Sequence, residues 1–351
     1  MTASAPIDLD ALMTELQDQL GDGLVVIIGS GLSCAEGLPG MGPLAAHLGA
    51  EIPKLVSGAE ATQWAELAID IAAAGLEAAL LKKPPMPTLE SVIVARSASF
   101  IAEAERRVVA DVFAGGRTLR FTRLLKHLLK PSTGIPVITT NYDRLVEIAA
   151  EEAGLGADTL FVGGFAGTLN ETESSLSFCR EVYLQGKNAR ARYRDRAVVL
   201  KPHGSLDWYH RAGNPVRYAG DLDLPRLIIT PGLNKFRNGY ESPFDRHRER
   251  ANRAIDLANR FLIIGYGFND DHLETHLKPR IASGTPTLLL TYELSPNAIE
   301  LARTHPNVIA IDRTDVAGTA GSRVFRNRTT HEVPGKNLWD LGSFISEVLE
   351  P

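Results

Sequence analysis

The strongest constraint on the fold is a series of short, almost wholly apolar runs. They are LVVII (24–28), IPVITT (135–140), RAVVLK (196–201), RLIIT (226–230), RFLIIG (260–265), TPTLLLTY (285–292) and VIAID (308–312). Apolar runs of about four to eight residues without alternation are what strands look like when both faces are covered. Helix-forming segments lie between several of them, at 142–153, 242–259, 271–281 and 296–303, and Asp8 is placed to cap a helix ending near Leu20 before Gly21 and Gly23. Strand and helix in alternation require right-handed crossovers. The expected fold class is therefore α/β: a doubly wound, Rossmann-like, mostly parallel sheet.

Two intervals depart from this rhythm. Residues 51–130 are almost entirely helix-forming, broken at KKPPMPT (82–88) and GGR (115–117), and read as a helical insertion on the sheet. Residues 163–194 are polar and read as an irregular insertion, a cover or a contact surface. The expected organisation is one catalytic-type unit over 1–320 carrying both insertions, followed by a helical appendage over 321–351. In that appendage Leu338, Trp339, Leu341, Phe344, Ile345 and Val348 share one helix face.

Composition narrows the function classes. Lys plus Arg number 37 against 42 Asp plus Glu, a net −5, so the overall charge gives no support for direct nucleic-acid binding. Cys34 and Cys179 are too few for a disulfide framework or a four-thiolate zinc site. No apolar run reaches the length of about 18 residues that spans a bilayer, and MTASAPIDLD lacks the basic start of a signal peptide. The expectation is a cytoplasmic protein with no membrane contact.

Four strand ends carry polar or small residues. The first strand runs into GSGLSCAEGLPG (29–40), a turn that lets backbone N–H groups approach a pyrophosphate, although its third position of the dinucleotide fingerprint is Cys34 and not glycine. The second ends in TTNYD, where Thr140, Asn141 and Asp143 stand at the carboxyl end of a strand, the place where open α/β sheets bind ligands; a cap for the next helix is the plainer role. RAVVLK leads to PHGSLDW, which puts His203 where a general base would stand. RFLIIG ends in GYGFNDDH (265–272). His272 and His276, four apart with Asp270 and Asp271 nearby, could face one metal, but no third ligand is identifiable, so solvated or capping roles are expected and no metal.

In this order, GSGLS, GLP, TTNYD, HG and GYG resemble the elements of the sirtuin family, and above all bacterial sirtuin-like NAD-consuming proteins of antiphage defence, over about 24–271 and more weakly to 312. The resemblance implies a sirtuin-type fold that takes NAD as substrate. Gly29, Ser30, Gly31 and Ser33 would hold the pyrophosphate, with Thr140 beside them. Asn141 would position the ribose or the attacking water, Asp143 would bond near the nicotinamide, and His203 would be the base. Gly265 and Tyr266 would line the far side of the dinucleotide. Glu293 is added on chemical grounds, as an acceptor for ribose hydroxyls.

The implied activity is NAD glycohydrolysis in a defence effector released by oligomerisation or by a partner, either a HerA-type ring ATPase or, as an alternative, a short Argonaute. Departures matter too. Residues 204–264 contain no cysteine, so the paired zinc ligands of deacylating sirtuins are missing, and Gly40, Met41 and Gly42 replace the usual residues after the G-I-P segment. A deacylase and an NAD- or ADP-ribose-binding assembly module without turnover remain the alternatives.

Overall fold

The computed structural model describes residues 7–229 and 241–351. Among them, one large sheet is built from β1 (Leu24–Ile28), β2 (Ile135–Thr139), β3 (Gly156–Asp158), β4 (Arg196–Leu200), β5 (Arg260–Ile264), β6 (Thr287–Leu290), β7 (Val308–Val316), β8 (Thr319–Arg326) and β9 (Thr329–Pro334). Their order in space is β9-β8-β7-β6-β5-β1-β2-β4-β3. Every pair from β7 to β3 is parallel; β7-β8 and β8-β9 are antiparallel. β1 and β4 are buried at every position, which is why LVVII and RAVVL show no alternation.

Helices cover both faces. One face packs against Leu9–Asp18, Arg120–His127, Leu145–Glu152 and the C-terminal turns, through Leu12, Leu16, Leu124, Ala149, Phe344 and Val348. The other packs against Phe244–Leu257, Asp271–Ala282 and Pro296–Thr304, through Ala251, Ile255, Leu277, Ile281, Ala298 and Ala302. Each fully buried Leu or Ile contributes about 1.5–3 kcal/mol to this packing. The helical insertion has its own core of Leu44, Leu48, Trp64, Leu67, Leu80 and Ile93. It begins at Met41–Glu51, earlier than the sequence suggests, and Pro87 opens its 27-residue helix Pro87–Phe113 at the first turn, where its missing N–H costs nothing.

The structure differs from the sequence reading in three places. Residues 163–194 are regular: strand Ala166–Leu169, helix Glu171–Ser177 and a hairpin of Cys179–Gln185 with Asn188–Tyr193. Ala166–Leu169 joins a second, antiparallel sheet with Phe161–Val162, Gly204–Arg211, Asn214–Tyr218 and Arg226–Ile228; the RLIIT run lies there, and its Thr230 is outside the described residues. Residues 321–334, expected as part of a helical appendage, are strand, because β8 and β9 extend the main sheet antiparallel. Only the end of that segment is helical, and Leu338, Leu341, Phe344, Ile345 and Val348 are buried in the main core.

Candidate active site

β1 is the strand at which the chain's order reverses, with β2 on one side and β5 on the other. Outside the carboxyl ends of such a switch point an open α/β sheet leaves a crevice. Here that crevice is a cavity of about 300 Å³, at the small end of ligand sites. Its floor comes from four strand ends: Gly29, Ser30 and Ser33 after β1; Thr140, Asn141, Tyr142 and Asp143 after β2; His203 after β4; and Gly265, Tyr266, Asn269 and Asp270 after β5. Leu44, Glu77 and Ile101 of the helical insertion, with Leu38 to Met41, supply the opposite wall.

The glycines of the first and last turns have a packing reason of their own. A Cβ on Gly29 would lie 2.3 Å from Gly265 O, and one on Gly31 would lie 2.6 Å from Gly265 Cα. Gly265 has φ +59°, and its own Cβ would meet Gly31 Cα at 2.5 Å. The two turns touch backbone to backbone, and Gly31 N–H donates to Gly265 O at 3.0 Å. Gly31 therefore sits behind the cavity wall and does not line it. The helix that follows, Ser30–Ala35, has six residues, so this turn offers a ligand local N–H groups and little macrodipole.

Asn141 is held by a relay. Its Nδ2 donates to Gly29 O at 2.9 Å and to Ser33 Oγ at 2.8 Å; Ser33 Oγ donates to Asp143 Oδ2 at 2.6 Å; Asp143 Oδ1 accepts from Leu145 N–H at 3.1 Å. Gly29 O can only accept, so the amide orientation is fixed and both Nδ2 hydrogens are used. The carbonyl Oδ1 is the part of Asn141 left for a ligand. Burial pushes the Asp143 carboxyl above the usual aspartate range, against the nearby Lys201 cation and the hydrogen bonds from Ser33 and Leu145. Lys201, fully buried, donates to Asp143 O and to Glu147 Oε1.

His203 is largely buried, and its Nε2 lies 2.5 Å from Asp270 Oδ2. Its backbone is fixed as well, since His203 O accepts from Ile229 N–H at 3.0 Å. Asp270 also caps the helix Asp271–Ala282, with Oδ1 accepting from His272 N–H at 3.1 Å and Leu273 N–H at 3.5 Å. Two buried carboxylates tie the turns to the helices around them. Glu36 accepts from Arg117 and Arg120, and Glu105 accepts from the backbone N–H and the guanidinium of Arg144.

Gly29, Ser30, Ser33, Thr140, Asn141, Asp143, His203, Gly265 and Tyr266, all singled out from sequence, thus meet around one cavity. Residues 136–301 match the family model described as the SIR2-like domain. The SIR2-like span runs from β2 to the helix Pro296–Thr304 and holds Asn141, His203 and Asp270; the Gly29–Ser33 turn and the helical insertion precede it. No curated protein sequence matches the chain.

Among solved structures, Sir2Tm bound to a propionylated peptide is similar with TM-score 0.39 and 14% identity, over 81% of this chain and 88% of that one. A Sir2 homologue mutant in complex with ADP ribose gives 0.38 and 13%, over 81% and 86%. A structure on sirtuin substrate affinity gives 0.38 and 13%, over 83% and 90%.

Glu293 is not brought to this site. It is exposed after β6, where its charge acts on Arg323. In the histidine cluster, Asp270 is a cap, and His276 Nδ1 pairs with Asp256 Oδ1 at 2.9 Å. Among the described residues no three His, Cys, Asp or Glu side chains converge as a metal site. Sequence reasoning missed Glu77 and Ile101, which reach the cavity only through tertiary packing, passed over Tyr142 inside the TTNYD turn, and missed the partnership of Asp270 with His203 across 67 positions of sequence.

Proposed function

We propose that the protein is an NAD glycohydrolase: NAD and water give ADP-ribose, nicotinamide and a proton. The observation that carries this reading is the meeting of Asn141 Oδ1 and His203, an oriented acceptor and a base, in the one cavity that the glycine turns of β1 and β5 enclose. The bond between nicotinamide and ribose breaks with oxocarbenium-like charge on the sugar, which needs fixed dipoles and a base but no redox step. Asn141 Oδ1 accepts a hydrogen from the ribose or the attacking water, and His203 takes the proton that water releases, a contribution of about 10²- to 10⁴-fold. The lining suits a cationic nicotinamide, since Glu77 and Asp270 stand in it and none of its lining residues is Lys or Arg. The wall over the site comes from Leu44, Glu77 and Ile101 of the helical insertion, and residues 204–264 lack the cysteines of the zinc module that accompanies deacylation, which supports hydrolysis over deacylation.

The resemblance in the turn motifs extends the proposal to a cytoplasmic antiphage effector, silent until it assembles with itself or with a HerA-type ring ATPase or short Argonaute. The test is nicotinamide release from NAD across a protein concentration series, alone and with each candidate partner. Asn141→Ala and His203→Ala run alongside and are expected to abolish release. Tight NAD binding without product under every condition would overturn the enzyme reading in favour of an assembly module, and turnover of an acyl peptide would overturn it in favour of a deacylase.

A further inference from the structure

The geometry assigns Asp270 a role beyond its helix cap: we infer that it is the positioning residue that fixes the tautomer of His203, so that Nδ1 is the atom that takes the proton. This rests on the glycohydrolase reading for its kinetic consequence but not for its chemistry. The 2.5 Å contact between His203 Nε2 and Asp270 Oδ2 is an ion-pair distance; hydrogen on Nε2 makes the approach attractive, whereas two facing lone pairs would repel. With hydrogen on Nε2, the neutral imidazole keeps its lone pair on Nδ1.

The carboxylate cannot turn away. Its other oxygen accepts from His272 and Leu273 N–H at the start of a 12-residue helix, and the Asp270 N–H donates back to Glu274 Oε1 at 2.8 Å. The helix thus sets the angle of Asp270, and Asp270 sets the ring. The other ionisable groups lining the cavity around His203 are Glu77, Tyr142, Asp143 and Tyr266, and among the described residues the ion-pair partner of its ring is Asp270.

The same cap makes Asp270→Asn a directed test. Asparagine caps helices as well as aspartate does. The two cap N–H groups demand the amide oxygen, so the NH₂ group is left facing His203 Nε2 and must donate to it. The ring is forced into the opposite tautomer, with hydrogen on Nδ1, while helix and fold are kept. The expected kinetic result is a fall in kcat of at least about 100-fold with KM changed by less than about threefold, as when a catalytic histidine is held in the wrong tautomer.

The experiment pairs kinetics with ¹⁵N NMR of labelled imidazoles in the full-length chain, the His203 signal assigned by its loss in His203→Ala. The proposal expects an Nε2-protonated, Nδ1-bare ring in wild type and the reverse in Asp270→Asn. Asp270→Ser, which keeps a capping oxygen but cannot reach the ring, is expected to show a mixture and an intermediate kcat. An Nδ1-protonated ring in wild type would overturn the inference, and so would an Asp270→Asn enzyme that keeps its kcat. Should wild type cleave no NAD under any condition, the function proposed above fails, and the NMR arms alone then uphold or overturn the role of Asp270.

Discussion

His247 offers a stability prediction that can be worked from the structure. Its ring is fully buried beside Phe161 and Trp208, and Nδ1 accepts from the Lys201 N–H at 3.1 Å, two residues before His203. Burial, with the Lys201 and Arg250 cations, pushes its pKa down from the ordinary 6.5 to about 3. The folded state therefore resists the proton that the unfolded chain accepts. The stability His247 confers is complete above pH 6.5 and is lost as pH falls toward 3.

The gap of about 3.5 in pKa corresponds to about 5 kcal/mol once the pH is below both values, and linkage gives about 2 kcal/mol already lost at pH 5. His247→Gln keeps an acceptor for the Lys201 N–H and does not titrate. Urea denaturation of both proteins at pH 8 and pH 5 isolates the effect, because every other carboxylate and histidine is common to the two. Wild type is expected to lose about 2 kcal/mol more than the variant between those pH values. An equal loss in both would refute the reasoning, and a greater loss in the variant would reverse its sign.

Gly265→Ala forces a Cβ within 2.5 Å of Gly31 Cα at a positive φ, so it is expected to cost at least about 2 kcal/mol and to weaken NAD binding, measured by denaturation and calorimetry. The pair formed by Glu105, with no exposure, and Arg144, one-quarter exposed, should be asymmetric. Arg144→Met strands a buried carboxylate and is expected to cost about 3–5 kcal/mol, whereas Glu105→Gln leaves a guanidinium that reaches water and should cost less. Equal costs in denaturant would contradict that account.

The parts of the fold that were legible from sequence are those whose burial is uniform. LVVII and RAVVL contain no polar position because neither face of β1 or β4 meets water, and such runs read plainly. β8 and β9 did not, since TAGSRVFR and TTHEVP mix exposed and buried positions at a sheet edge and resemble loops. The hairpin Cys179–Tyr193 is exposed along nearly its whole length, so no core pattern marks it as strand. At the site, turns that end strands announced themselves by their small and polar residues. The wall did not: Leu44, Glu77 and Ile101 belong to helices whose apolar positions serve the insertion's own core and, through Val108 and Val112, the main core, so no motif marks the wall.

The two buried carboxylates Glu36 and Glu105 give the site a threshold. Each anchors a ligand-facing turn to the helices of residues 87–127, and neither can let go without leaving a charge in a dry place. Separation of one pair costs about 3–5 kcal/mol, so the loosened arrangement is visited by between about one molecule in 100 and one in 10,000. Thermal agitation alone therefore seldom deforms the crevice. A binding event that strains the helical layer by a comparable free energy makes the loosened state common, and because two such anchors act on the neighbouring turns after β1 and β2, their combined release is rarer still and correspondingly more decisive.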